Sequence, residues 1–171
     1  MVEGDARRYR LVEFGTVKAN PRERFAARLL KISDGVGSVI EKFRPDVCAV
    51  EESFFAVNAQ TALKLGHVRG VVLLAAERAG VEIAEYAPRL IKQTVVGYGA
   101  AEKQQVQEMM RVLLKLKEPP APFDASDALA VAVTHLHHAG RPEVSKGKVA
   151  PARAKLEALL AAERTVKRRE P

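Results

Sequence analysis

Residues 45–87 read PDVCAVEESFFAVNAQTALKLGHVRGVVLLAAERAGVEIAEYA, two short apolar runs separated by a longer segment. The runs PDVCAVE (45–51) and VEIAEYA (81–87) are typical of buried strands, and the segment from about Asn58 to Gly80 has the length of a helix. A strand, a helix and a second strand in this order predict a βαβ unit with parallel strands. The first strand ends at Glu51, the edge at which open α/β sheets bind ligands.

The segments before this unit add a strand and a helix. YRLVEFGTVKA (9–19) is β-rich and stops at an Asn-Pro breaker, which predicts a strand. RERFAARLLKISDGVGSVIEKF (22–43) carries apolar residues at helical spacing, and Gly35 and Gly37 weaken the middle of this predicted helix.

The segments after the unit are mainly helical. We expect a short helical turn after Pro88, then a helix whose apolar face includes Met109 and Met110 as core residues. KEPPAPF (117–123) is a rigid linker, and DASDALAVAVTHLHHAG (124–140) predicts a last helix. The whole order predicts an α/β sandwich with helices flanking one sheet.

Charge and composition limit the class of protein. The net charge is +7, of which residues 141–171 supply +5 through nine Lys or Arg and four Glu. We therefore expect residues 1–140 to form one domain and residues 141–171 to be a basic tail, helical or disordered. Such a tail attracts phosphate without sequence preference or is simply a solvated helix, and both interpretations stay open.

Membrane and disulfide classes are not indicated. No run of eighteen apolar residues exists and the amino terminus is charged, so we expect a cytoplasmic protein without a membrane partner. The only cysteine, Cys48, lies inside an apolar run, which leaves no disulfide framework and no thiolate metal site.

Three carboxylates from two elements are candidates for one site. Asp124 and Asp127 are three residues apart and face the same side of the last helix, and Glu51 ends a strand. Oxygen ligands without cysteine suit Mg²⁺ or Mn²⁺, which serve two-metal phosphodiester hydrolysis. The alternative is structural: Asp124 as helix N-cap, Asp127 as a favourable charge in the first turn, and Glu51 or Glu52 as a solvated strand end.

Three blocks carry a resemblance to a known family: AVEESFFAVNAQTALKLGHVRG (49–70), EYAPRLIKQTVVGYGAAEKQQV (85–106) and FDASDALAVAVTH (123–135). They resemble the RuvC family of Holliday-junction resolvases, bacterial endonucleases of the RNase H-like superfamily, and the likeness runs from about Val2 to His138. It implies an RNase H-like sandwich, a mixed sheet flanked by helices. It also implies that Glu51, Asp124 and Asp127 are catalytic ligands of Mg²⁺ or Mn²⁺, two ions per active site.

The resemblance implies DNA contacts as well. Phe54 corresponds to an aromatic residue that stacks on a base in the opened junction centre, and Lys92 and Lys103 to basic residues that contact phosphate or stabilise charge. Arg69 is a weaker phosphate candidate. The alternatives are burial for Phe54 and a solubilising surface role for the lysines, and we interpret His135 and His138 as a hydrogen-bonded helix face rather than as metal ligands.

The resemblance also implies an assembly. Gly66 and Gly70 lie one helical turn apart on the helix that forms the two-fold dimer interface in the family, although close packing within the chain would use the same glycines. The implied activity is symmetric nicking of a four-way DNA junction by a homodimer in recombination and repair. The RuvA and RuvB branch-migration proteins are the implied partners.

The chain departs from the family pattern at its beginning. MVEGD matches the end of the family's second strand, so the first strand with its Asp-Pro-Gly motif and most of the second are expected to be missing, through a misassigned start or a truncated gene. The sheet would then lack its middle between residues 9–19 and 45–51, and the chain would be unstable. In the family, the aspartate of that first strand is a fourth metal ligand. Because it is expected to be missing, a nuclease-dead junction-binding remnant, or a structural remnant without binding, is the alternative function.

Overall fold

The computed structural model describes residues 1–52 and 58–139. The element order is that of an α/β fold, as predicted, within a compact unit that spans Met1–Gly140, but the described strands form two separate two-stranded sheets rather than the one sheet predicted. The elements are β1 (Val2–Gly4), β2 (Tyr9–Leu11), α1 (Phe25–Phe43), β3 (Val47–Glu51), α2 (Ala59–Arg78), β4 (Glu82–Tyr86), α3 (Pro88–Val96), α4 (Lys103–Leu113) and α5 (Phe123–His138). The predicted tail at 141–171 lies outside the described residues.

The predicted βαβ unit is confirmed. β3 and β4 pair in parallel, with Val47 opposite Glu82 at one end and Glu51 opposite Tyr86 at the other. Asn58 caps α2, since its Oδ1 accepts a hydrogen bond of 2.8 Å from the amide of Gln60. Glu51 thus stands at the carboxyl end of β3, as the sequence predicts.

The first strand pair is shorter than predicted. β1 and β2 pair antiparallel with Val2 opposite Leu11, and the strand predicted at 9–19 ends at Leu11. The amides of Val12 and Glu13 donate to the carbonyl of Met1, at 3.1 and 3.3 Å. Beyond Leu11 the described backbone forms no further ladder pairs with β1, and residues 12–20 are not strand.

The core lies on α3, α4 and α5. Met110 is fully buried, and the prediction that Met109 and Met110 face the core is confirmed. Both strand pairs contact α5. Partly buried side chains from the four strands pack against this core: Val2, Tyr9, Leu11, Ala49 and Tyr86. The helix that carries Asp124 and Asp127 is therefore fixed against the strand that carries Glu51.

Three helix boundaries differ from the sequence prediction. α1 begins at Phe25 rather than at residue 22, and the turn predicted after Pro88 is a nine-residue helix with proline in its first turn. α5 begins at Phe123, its N-cap is Pro122, and no side chain caps it. The alternative that Asp124 is an N-cap is wrong, because Asp124 already lies inside the helix.

α1 is continuous through the two glycines that were expected to weaken its middle. A Cβ on Gly35 would lie 2.6 Å from Val17 Cγ1, whereas a Cβ on Gly37 would meet nothing within 4 Å. Gly35 therefore permits the segment after β2 to lie close to α1. No packing contact within the described residues requires a glycine at position 37.

The two glycines make a matched pair for a stability measurement. Gly37→Ala is expected to raise the free energy of unfolding by about 0.5–1 kcal/mol, because alanine loses less backbone entropy in a helix. Gly35→Ala is expected to gain clearly less, because Val17 has to move. Urea unfolding of both variants checks this, and an equal gain at the two positions would contradict it.

Within the described residues, no helix is long and apolar enough to cross a membrane.

Candidate active site

Glu51 lies half-buried at the carboxyl end of β3, among groups from three helices. Burial raises the pKa of the Glu51 carboxyl, and the negative charge of Asp127 on α5 raises it further. The ammonium groups of Lys103 on α4 and Lys92 on α3 act in the opposite direction. Glu51, Asp127, Lys103 and Lys92 therefore form one electrostatic group, although they are up to 76 positions apart in the chain.

Asp127 and Lys103 form an ion pair across the site. Lys103 Nζ lies 3.4 Å from Asp127 Oδ2, and the two side chains are 60% and 33% exposed. Lys103 is the first residue of α4, whose start is held by a capping box in which Glu102 and Gln105 bond to each other's backbone amides. The ammonium is thus placed beside the two carboxylates by the fold.

Asp124, the third predicted acid, is not among the groups that shift the pKa of the Glu51 carboxyl. It is exposed in the first turn of α5, where its charge is favourable to the helix dipole. Across residues 1–52 and 58–139, no three His, Cys, Asp or Glu side chains lie close enough together to form a ready-made metal site. The structure brings together two of the three predicted acids, Glu51 and Asp127.

The donor chemistry of this pair fits a divalent cation. Both groups offer carboxylate oxygens, the donors that Mg²⁺ and Mn²⁺ prefer. The negative charge of Asp127 raises the pKa of the Glu51 carboxyl, and a cation held between the two groups would remove this repulsion.

Arg69 holds the end of β3 against β4. Its Nε donates to the carbonyl oxygen of Glu51 at 3.5 Å, its guanidinium forms an ion pair with Glu85, and its side chain is 18% exposed. Sequence reasoning treated Arg69 only as a phosphate candidate and missed Glu85. The position of Glu85 in the sequence could have indicated this contact. Glu85 lies on the strand paired with β3, one residue before Tyr86, which is opposite Glu51.

The glycines of α2 are not used for packing within the described chain. A Cβ added to Gly66 or Gly70 meets nothing within 4 Å, and Leu63 and Leu74, one turn before and after them, are exposed. The alternative that these glycines allow close helix packing inside the chain is therefore wrong for the described residues. Phe54, the predicted stacking residue, lies outside them.

The histidines at the end of α5 are hydrogen-bonded, as predicted. Tyr86 Oη lies 2.9 Å from His135 Nδ1, and Thr94 Oγ1 lies 3.0 Å from His138 Nε2. Tyr9 Oη likewise lies 3.3 Å from His137 Nδ1. These contacts fasten α5 to β2, β4 and α3.

Comparison with known proteins identifies the lineage. The family model described as crossover junction endodeoxyribonuclease RuvC matches residues 1–135. The chain belongs to the RuvC family. The expectation drawn from the three sequence blocks is confirmed.

Named relatives and solved structures agree with the RuvC assignment. The crossover junction endodeoxyribonuclease RuvC of Sorangium cellulosum is 55% identical over 129 residues, which are 75% of this chain and 72% of the relative. That of Koribacter versatilis is 49% identical over 138 residues, 80% and 83% of the two chains. Thermus thermophilus RuvC in complex with Holliday junction substrate is 41% identical, with a TM-score of 0.76 over 81% of this chain and 84% of that one. These RuvC neighbours confirm the RNase H-like fold.

The raised pKa of Glu51 makes a prediction about stability. A carboxyl whose pKa is higher in the folded than in the unfolded chain binds a proton more tightly when folded, so it lowers stability as the pH rises through that pKa. In buffer without divalent cations, Glu51→Gln is therefore expected to raise the midpoint of thermal unfolding at about pH 7. The gain should shrink as the pH falls and vanish towards about pH 3, well below the ordinary glutamate pKa, where both states are protonated. A gain in the unfolding midpoint that grows as the pH falls would contradict a raised pKa of Glu51 in the folded chain.

Proposed function

We propose that this chain is a divalent-metal-dependent endonuclease that resolves four-way DNA junctions by symmetric nicking, in recombination and repair. The observation that carries the proposal is membership of the RuvC family, and it is supported by the electrostatic influence of Asp127 on Glu51 at the carboxyl end of β3. Relatives at up to 55% identity bear the name crossover junction endodeoxyribonuclease, which supports hydrolysis of a phosphodiester bond.

The proposed metal ligands are Glu51, Asp127 and Asp124, and the proposed ions are two Mg²⁺ or Mn²⁺. Such ions, when bound, activate water and stabilise the leaving oxygen. The chain contributes the position of the oxygens: β3 presents Glu51, and the first turns of α5 present Asp127 and the exposed Asp124. Arg69 fixes the backbone of Glu51 through its carbonyl oxygen.

The proposed DNA contacts are basic and aromatic. Lys92 and Lys103 lie within electrostatic reach of Glu51, where a phosphate under attack would sit, and their charge would attract it. Arg69 is a further phosphate candidate, and Phe54 is proposed to stack on an unpaired base. The neighbour of Thermus thermophilus in complex with Holliday junction substrate supports a four-way junction as the ligand.

The proposed assembly is a homodimer in the cytoplasm. The exposed stripe of Leu63, Gly66, Gly70 and Leu74 on α2 supports a dimer interface there, because small residues allow two helices to approach closely. Two copies would supply the two active sites that symmetric nicking requires. RuvA and RuvB are proposed as partners by family membership alone.

The proposed function is tested with a synthetic four-way junction and a linear duplex of the same sequence, each incubated with Mg²⁺ or with EDTA. We expect paired nicks in two strands of like polarity, on the junction alone and with metal alone. Cleavage of both substrates alike, or cleavage in EDTA, would contradict the proposal.

The same experiment separates the alternatives. Gel-shift of the junction without cleavage would indicate a nuclease-dead binding module, and neither shift nor cleavage would indicate a structural remnant. The comparisons give no support to a nuclease-dead protein, since the relatives they return are named as endonucleases.

A further inference from the structure

Lys103 occupies an unusual place for a residue that is proposed to contact DNA. Its ammonium is paired with Asp127 at 3.4 Å, and its charge also acts on Glu51. These are two of the three carboxylates proposed to hold divalent cations. An ammonium and a divalent cation near the same oxygens repel each other, so the two compete for the same place.

We propose that Lys103 is an internal counter-ion that competes with the divalent cation for Asp127 and is displaced when the cation binds. The inference rests on the proposed function and deepens it. When the metal binds Asp127, it releases the ammonium of Lys103, which is then available to the DNA. On this proposal, the Lys103 ammonium becomes available to the phosphate only after the metal has bound.

The geometry allows this exchange. Lys103 is the first residue of α4, and its side chain is 60% exposed, so four methylene groups can swing without disturbing a packed neighbour. The backbone at this point stays fixed, because Glu102 and Gln105 form the capping box that holds the start of the helix. The movement is thus confined to one side chain.

Coupling follows from the exchange by linkage. A cation that displaces the ammonium from Asp127 leaves it available for a phosphate oxygen, so metal should strengthen DNA binding, and DNA should strengthen metal binding by the same factor. If the charge of Lys103 is removed, the cation no longer competes with an ammonium for Asp127. Metal binding should then strengthen DNA binding less than in the parent.

The first test measures binding of Mn²⁺ alone to the full chain by electron paramagnetic resonance, without DNA. Lys103→Gln is expected to tighten Mn²⁺ binding about threefold to tenfold, and the gain should diminish at high ionic strength. Lys103→Arg keeps the charge and should bind like the parent. Lys42→Gln is the matched control. Lys42 lies on α1, its side chain is 65% exposed, and its Nζ lies 3.2 Å from Glu13 Oε2. Removing its charge should leave the Mn²⁺ affinity unchanged.

The outcomes separate this inference from the proposed function. Unchanged or weaker Mn²⁺ binding by Lys103→Gln, together with loss of binding by Asp127→Asn, would overturn the counter-ion role while keeping the carboxylate site. Unchanged binding by Asp127→Asn would overturn both. A second measurement follows the gain in junction affinity on adding Mn²⁺: it should be smaller in Lys103→Gln than in the parent, and an equal gain would also overturn the exchange.

Discussion

Replacing Asp127 by Asn is expected to reduce the rate of junction cleavage at least about a hundredfold, because loss of this proposed metal ligand would remove several kcal/mol of charge stabilisation. Asparagine keeps the size of the side chain and one oxygen, but it loses the charge that acts on Glu51 and pairs with Lys103. Junction binding should persist, since the substitution removes a negative charge from a surface that receives phosphate. Single-turnover cleavage and gel-shift assays on the same preparation check the two results.

Asp46→Asn is the matched control for this loss. Asp46 is an exposed acid that precedes β3, at the end of the strand opposite Glu51. The same change of charge at that end should leave the cleavage rate within about twofold of the parent. An equal loss in both variants, or cleavage by Asp127→Asn at the rate of the parent, would remove Asp127 from the active site.

Replacing Met110 by Ala is expected to lower the free energy of unfolding by about 2–5 kcal/mol, a large part of the roughly 5–15 kcal/mol of a typical domain. Met110 is fully buried in the core that joins α3, α4 and α5. Truncation leaves a cavity beneath α4, the helix whose first residue is Lys103. Urea unfolding at fixed protein concentration measures the change.

Val112→Ala provides the control on the same helix. Val112 lies two positions further along α4 and is 53% exposed, so its loss removes little buried surface. We expect a change within about 0.5 kcal/mol of the parent. If the two alanine substitutions lowered stability equally, the assignment of the buried face of α4 would be wrong.

Local patterns were sufficient to predict most of the fold. The apolar runs at 45–51 and 81–87 predicted parallel strands, because buried strands are short and continuous and the segment between them has helical length. The strand at 9–19 was predicted too long, since alternation of apolar residues indicates a strand's buried face but not how many of its residues pair with a neighbouring strand. β1 pairs only up to Leu11, and the chain leaves the ladder there.

The candidate site was predictable in its residues but not in its contacts. Glu51 and Asp127 were identified by strand-end position, helix spacing and resemblance, and the fold does place them together. The ion pair between Lys103 and Asp127 joins α4 to α5, and the contact of Arg69 with Glu85 joins α2 to β4. Such pairs depend on how helices are oriented in three dimensions, which one-dimensional spacing does not encode.

The most direct test of a shared cation is a double-mutant cycle on junction cleavage with Glu51→Gln, Asp127→Asn and the two together. Two ligands of one metal act as a unit, so the double variant should lose no more activity than the more damaging single variant. Losses that multiply, so that the double variant is slower by the product of the two single effects, would show that Glu51 and Asp127 act independently and would contradict a common metal site.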